Sequence, residues 1–217
     1  MANQESLNQL LQWGITNSDT SRNDPSTHPT DQPRDPNRGL TPKMLSELLG
    51  GPSDADRMRE AMTAIVASLD HVDLENKLIA WDNLEQLIEQ IDNANNMESL
   101  GLWVPLVRQL EHAEGEMRRM AAWCCSTAVQ NNVKCQEKLL AVGAIPQLVK
   151  LATEDREQAV RKKAISALSS EVRNFQPAMD ELEQTLPESL WRRKGVEAGD
   201  MDAVDEVIKV LRDQAAR

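Results

Sequence analysis

Tyrosine is absent from this chain of 217 residues, phenylalanine occurs once, and aromatic side chains make up only 3% of it. That shortage excludes a tyrosine-rich β-sandwich. Basic residues are also outnumbered: 24 Lys and Arg stand against 35 Asp and Glu, a formal charge of -11. No nucleic-acid ligand is expected, because counterion release on a phosphate backbone needs protein cations. No apolar run approaches the roughly eighteen residues of a membrane span, so no membrane partner is expected. The N-terminus lacks the basic region and continuous apolar region of a secretory signal, and the expected location is therefore the cytoplasm.

Cysteine and histidine are equally sparse, with three of each. Cys124, Cys125 and Cys135 are odd in number, have no His at zinc-ligand spacing and sit in apolar or helical surroundings; buried free thiols are expected. His28 falls in a Pro-rich stretch, His71 between helices and His112 in a charged turn, none of them at metal-site spacing or beside a nucleophile motif. A glycine-rich phosphate loop is missing too. The chain is therefore expected to be no enzyme and to carry no metal and no cofactor. Carboxylates such as Asp180, Glu181 and Glu183 read as solvated helix faces.

What the chain does have is hydrophobic content of 40%, enough for a core at this length, arranged with helical spacing. Four of the ten prolines lie between Pro25 and Pro36, among Ser, Thr, Asp and Asn, so the stretch from Asn17 to Gly39 reads as a flexible linker. Residues 1–39 are thus expected to form a disordered N-terminal extension with a short apolar motif at 6–16, and residues 40–217 a helical domain. Helix signals resume with Thr41 as cap and Pro42 in the first turn, and stop at Gly50, Gly51 and Pro52. A second start follows at Ser53, Asp54 and Asp56, after which Met58, Met62, Ile65, Val66 and Leu69 recur at helical spacing. Nothing downstream reads as a strand.

From Leu74 onward the chain repeats itself. The segments KLIAW, RRMAAW and RKKAI align Lys77 with Arg119 and Arg161, Ala80 with Ala122 and Ala164, and Trp81 with Trp123 and Ile165, each at a step of 42. GLWVPLVRQL and GAIPQLVKL align Pro105 with Pro146 and Leu110 with Leu151 at a step of 41. Such units resemble armadillo repeats, and the expected fold is an all-α solenoid with repeats at roughly 73–111, 112–152 and 153–186 and C-terminal helices over 187–217. The helix opened by a Gly turn and a Pro is expected to be the third of each unit. Small residues such as Ala80 and Ala122 let helices approach closely, and Trp81 and Trp123 are expected to fill the seams.

Two binding classes use such a scaffold. An importin-like peptide adaptor reads basic peptides with a Trp and an Asn one turn apart on successive third helices; here Trp103 is followed by Val107, and the next unit offers Ile145 and Val149, so that ladder is missing. The segments LLQWGITNS, KMLSELLGGPSDADRM, ENKLIAWDNLEQLIEQIDNANNMESLGLW, AVQNNVKCQEKLLAVGAIPQLVKL and ALSSEVRNFQP instead resemble the fungal cytosolic branch of the armadillo-type nucleotide-exchange factors for the seventy-kilodalton heat-shock chaperone, the Fes/HspBP family. The likeness spans nearly the whole chain, in order, and is looser from Glu183 on.

That resemblance implies a co-chaperone acting as a monomer. Its concave face would grip one lobe of the chaperone's nucleotide-binding domain, displace it and open the ADP site. The matching turns and inner helices offer Asn93, Asn95, Asn96, Asn131, Asn132, Gln136, Arg173 and Asn174 as chaperone-binding residues; Asn at a helix end also serves the fold alone. Arg173 is the strongest of these, since a guanidinium makes several charge-assisted bonds to an acidic surface. Leu7, Leu10, Leu11, Trp13 and Ile15 form an apolar stretch, a helical stripe in part and alternating in part. The resemblance implies that this stretch is a pseudo-substrate for the chaperone's peptide-binding domain.

Overall fold

The computed structural model describes residues 51–216 and, ahead of them, Leu11 alone. The linker, the helix expected over 41–49 and all of the apolar N-terminal motif except Leu11 lie outside the described residues. The chain divides into two units, residues 1–53 and 54–217, and the elements below belong to the second. They are α1 (Asp54–Val66), α2 (Leu74–Ile88), α3 (Ile91–Asn96), α4 (Trp103–Arg108) running into a 3-10 turn (Gln109–Glu111), α5 (Gly115–Val129), α6 (Val133–Ala141), α7 (Ala144–Glu154), α8 (Gln158–Val172), α9 (Gln176–Thr185) and α10 (Met201–Ala215). No strand occurs among the described residues.

Local signals place the ends of these helices. Asp73, Asn132 and Asp200 each cap a helix by accepting from the backbone N–H three residues on, at 2.8, 3.4 and 3.1 Å. Such caps satisfy donors the first turn leaves free. Gly101 and Gly143 take φ of +68° and +71°, a left-handed turn that costs glycine little, and each is followed within a few residues by a Pro of the next helix. α1 stops at Val66, short of the apolar pattern that reaches Leu69, and both side chains are exposed. The reason is visible in the carbonyls of Ala64, Ile65 and Ala67, all taken by the ammonium of Lys77 on α2.

Packing arranges α1, α2, α5, α8 and α10 in succession as one row, with α5 and α8 in contact along most of their length. Ala80, Ala121, Ala122, Ala164 and Ala167 are buried in its seams, where small side chains let backbones approach. The 3-10 turn, α7 and α9 form a second row behind the first; the short α6 links the rows, and the short α3 packs on α1, α2, α5 and α6. The Gly-turn helices α4 and α7, each the third in its expected unit, therefore stand behind the long helices and do not furnish the open face of the row. Their own sequence explains it: Ala144, Ile145, Leu148, Val149, Leu151 and Ala152 of α7 are all buried, leaving little polar surface to show to solvent.

The two aligned tryptophans part company. Trp81 is fully enclosed, as expected of a seam residue, whereas Trp123 is only partly buried. The aligned basic residues diverge similarly. Lys77 and Arg161 both bond helix-end carbonyls, Arg161 reaching those of Asp155 and Ala215 at 2.8 and 2.9 Å. Arg119 pairs with Glu116 instead, and its neighbour Arg118 takes the inner position, donating to Asp155, His112 and Ala113. Residues 187–200 make a strap without regular helix between α9 and α10. Glu183, expected on a solvated face, is buried because its carboxylate accepts from the N–H groups of Gly195 and Val196 at 2.8 and 3.2 Å and so holds that strap.

Candidate functional site

Three turns in equivalent repeat positions, Glu89 and Gln90 after α2, Gln130 to Asn132 after α5, and Arg173 to Phe175 after α8, carry four of the eight residues singled out from sequence as chaperone-binding, and the short helices α3 and α6 carry the other four. Asn131 and Asn174 are exposed and take φ of +54° and +58°. Asn is among the few residues with a side chain that enter this left-handed region readily. Both therefore have a backbone reason to be Asn, and both still present their amides to solvent.

The residues behind them are occupied inside the chain. Asn132 caps α6 and its amide donates to Cys135 Sγ at 3.1 Å. Gln136, 2% exposed, donates from Nε2 to the carbonyls of Ser170, Glu171 and Arg173 at 3.0, 2.8 and 3.1 Å. It closes the C-terminal end of α8, where carbonyls lack intrahelical partners. These two side chains are spent within the fold, where they hold the turns in place.

On α3, Asn93 donates to Asp54 Oδ2 and to the Leu87 carbonyl at 3.1 and 2.9 Å, tying three elements together. Asn95 Oδ1 lies 3.9 Å from Cys135 Sγ, and the backbone carbonyl of Asn96 accepts from Ser99 Oγ at 2.9 Å. All three are half-buried. Arg173 pairs with Asp205 of α10 and lies 3.3 Å from Ser169 Oγ, so its charge is already answered in part within the fold. The structure thus brings Asn95 of α3 against α6, and Gln136 of α6 against the end of α8. Along the same turns stand Ile91 and Val133, 58% and 51% exposed. Sequence reasoning missed them, although each directly follows the helix cap of its repeat and the two are 42 residues apart.

Beside these turns lies the open face of the long-helix row. Thr127 of α5 donates to Glu85 Oε1 of α2 at 2.7 Å, and Ser126 and Ser170 meet at 3.1 Å between α5 and α8. Lys163 Nζ stands 3.6 Å from the centroid of the Trp123 ring, with the Arg119 guanidinium 6.0 Å from it. Burial, reinforced by Arg119, lowers the proton affinity of Lys163. The Trp123 ring helps to line two grooves, one of about 640 Å³ with Leu74, Leu78, Ile79 and Met120, the other of about 450 Å³ with Glu89, Gln130 and Asn131. On α5 the residue one turn after Trp123 is Thr127, and the equivalent Trp81 is buried, so the Trp and Asn ladder of a peptide adaptor is missing here as well.

The interior holds groups with no evident chemistry. The three cysteines are buried and unpaired, and burial raises all three thiols, Cys135 to about 11; such thiols are poor nucleophiles. Glu171 is fully buried, neither carboxylate oxygen has a hydrogen-bond partner, and burial pushes its carboxyl up to about 9. Among the described residues no group of His, Cys, Asp and Glu is placed to hold a metal ion, and no helix is long and apolar enough to cross a membrane.

Comparison with known proteins accords with this architecture. Residues 7–97 match the family described as nucleotide exchange factor Fes1, and residues 93–185 match the SIL1/FES1/HPBP1 C-terminal domain. A protein of Gibberella zeae named Hsp70 nucleotide exchange factor FES1 is 51% identical, covering 97% of each chain. Its namesake from Coccidioides immitis is 49% identical over 95% of this chain and 97% of its own, and that of Neurospora crassa 44% identical over 97% and 98%. Two crystal structures of engineered proteins share the fold, each with a TM-score of 0.55 and 16% identity, over 80% of this chain and 71% and 72% of theirs. With relatives alike at about half of all positions from end to end, and two family matches that adjoin across the repeats, this chain belongs to the Fes1 family.

Proposed function

We propose that this chain is a nucleotide-exchange factor for the seventy-kilodalton heat-shock chaperone, a co-chaperone that speeds the loss of ADP without catalysing any covalent step. The observation that carries this reading is the 51% identity, over 97% of the chain, to a protein named for that activity. The helical row suits the task, since it offers a long, firmly packed face and a set of exposed turns.

The mechanism is linkage. A factor that binds the opened nucleotide-binding domain better than the closed one weakens ADP by the same ratio that ADP weakens the factor, typically 5- to 150-fold or about 1 to 3 kcal/mol. In this reading Asn131 and Asn174 touch the lobe directly, with Asn93, Asn95, Asn96 and Arg173 beside them. Asn132 and Gln136 act from behind by holding the turns. The apolar stretch of Leu7, Leu10, Leu11, Trp13 and Ile15 occupies the chaperone's peptide-binding domain, where it competes with bound clients. The protein acts as a monomer in the cytoplasm.

The test is direct. Chaperone loaded with fluorescent ADP is mixed with the purified protein and excess unlabelled nucleotide, and release is followed by stopped flow. Acceleration that saturates with protein concentration supports the reading, and its absence at saturation removes it.

A further inference from the structure

The turn at Arg173 and Asn174 is gripped from beyond its own helix. Asn174 N–H donates at 2.9 Å to the carbonyl of Ala198, in the strap that precedes α10. A left-handed residue with a side chain persists only where its surroundings hold it, and Asn131, in the same conformation after α5, meets no such carbonyl among the described residues. The strap itself has no regular helix to satisfy its backbone, so its buried stretch needs side-chain partners. Two side chains of α9 supply them. Gln176 donates from Nε2 to the Val196 carbonyl at 2.9 Å and accepts at Oε1 from the Ala198 N–H at 2.8 Å. Glu183 takes the N–H groups of Gly195 and Val196, one on each carboxylate oxygen.

We infer that Gln176 and Glu183 are positioning residues for nucleotide exchange: through the strap at 195–198 they fix the Asn174 turn in the orientation that meets the chaperone. The inference rests on the exchange-factor reading and concerns the support of a contact, not the contact. The chemistry at each position is narrow. A side-chain amide donates and accepts at once; a glutamate at 176 would set a carboxylate against the Val196 carbonyl and against Asp180 Oδ1, which Gln176 Nε2 also reaches at 2.8 Å. A methionine there would leave these groups without their partner. On its other side the turn is held by Gln136, which bonds the Arg173 carbonyl at 3.1 Å. Releasing the strap therefore frees Asn174 to leave the left-handed region while Arg173 stays anchored. The helices on either side of the strap keep their own apolar contacts, through Ala178, Met179 and Leu182 on α9 and Val204, Val207, Ile208 and Leu211 on α10.

The experiment is a double-mutant cycle on the full chain in the ADP-release assay. Gln176→Met and Asn174→Gly are made singly and together, with Ile65→Val as a core variant in α1, at the other end of the row. Each form is first checked for a cooperative melt. The expected result for each single variant of the cycle is a rise of roughly threefold or more in the concentration needed for half-maximal acceleration, with an unchanged maximum at saturation. The double variant should show no larger rise than the greater single one, because both act through one amide. Ile65→Val should match the native chain. Glu183→Gln, which keeps one acceptor, should give a smaller rise that is likewise absent in the Asn174→Gly background, and it carries the comparison if Gln176→Met does not fold. Effects that multiply in the double variant overturn the positioning role and leave the exchange reading standing, as do native behaviour of Gln176→Met or Asn174→Gly and an equal rise in Ile65→Val. No acceleration by the native chain overturns both.

Discussion

Lys77 Nζ of α2 lies 2.6 Å from the Ile65 carbonyl oxygen at the end of α1, in a position 1% exposed. One buried ammonium thereby closes one helix from the first turn of the next, and does so with hydrogen bonds to three carbonyls. Lys77→Met keeps the stem and removes the donors, leaving those carbonyls to find other partners. The expected cost is about 3 kcal/mol, read as a shift in the urea midpoint. An unchanged midpoint would mean that water replaces the ammonium.

Glu171 gives a pH prediction with a definite sign. Unfolded, its carboxyl titrates near the ordinary 4.5; folded, it keeps its proton to about 9. Below pH 4.5 both states are protonated and the group is neutral in its effect. Above it the unfolded state loses the proton first, so the stability of the native state falls with rising pH until about 9, by about 1.4 kcal/mol per unit. Glu171→Gln removes this slope. Urea midpoints of the two forms at pH 5 to 8 should diverge steadily, the variant gaining on the native protein; parallel curves would show that the carboxylate is ionised in the fold.

The two aligned tryptophans should respond differently to truncation. Trp81→Ala empties a fully enclosed site and should cost about 4 kcal/mol, while Trp123→Ala, at a partly open site under Lys163, should cost about half as much. Calorimetry on both variants decides this, and equal losses would return Trp123 to the core.

Glycine separates the two uses of the exposed turn residues. Asn131→Gly with Asn174→Gly keeps the left-handed backbone and removes both amides, so stability should change by only about 0.5 kcal/mol or less for each site. Acceleration of ADP release should nevertheless fall several-fold. If release is unaffected, these side chains serve backbone geometry alone.

Deletion of residues 1–39 tests the apolar N-terminal stretch. ADP release from the isolated nucleotide-binding domain should be unchanged, while release of a persistent peptide from the full-length chaperone should become less complete, because a tethered competitor is lost. Serine at Leu11, Trp13 and Ile15 in the full chain should reproduce the defect. Peptide release that matches the native protein would leave the stretch without this role.

The 42-residue recurrence made the long helices legible because the alanines in it, Ala80, Ala122 and Ala164, answer the same demand for close approach. The glycine turns were legible for an equally local reason. Trp123 was not, because alignment reports a position along one helix and says nothing of the neighbour across the seam, where Lys163 stands. Gln136 looked like a binding residue for the same reason: the carbonyls that occupy it belong to residues 34 to 37 positions away. Glu183 shows the converse, an acidic residue in a charged run whose partners are backbone N–H groups of a strap that carries no periodic signal.

The links from Thr127 to Glu85 and between Ser126 and Ser170 cross two of the row's four seams, α2 to α5 and α5 to α8. Apolar packing resists separation of two helices better than it resists their sliding, since a side chain that slips out of one groove settles into the next. Directional bonds across the seam act as keys against that shear. In the proposed function a protein that props another apart transmits force only to the extent that it does not itself yield, and these bonds key α2, α5 and α8 in series.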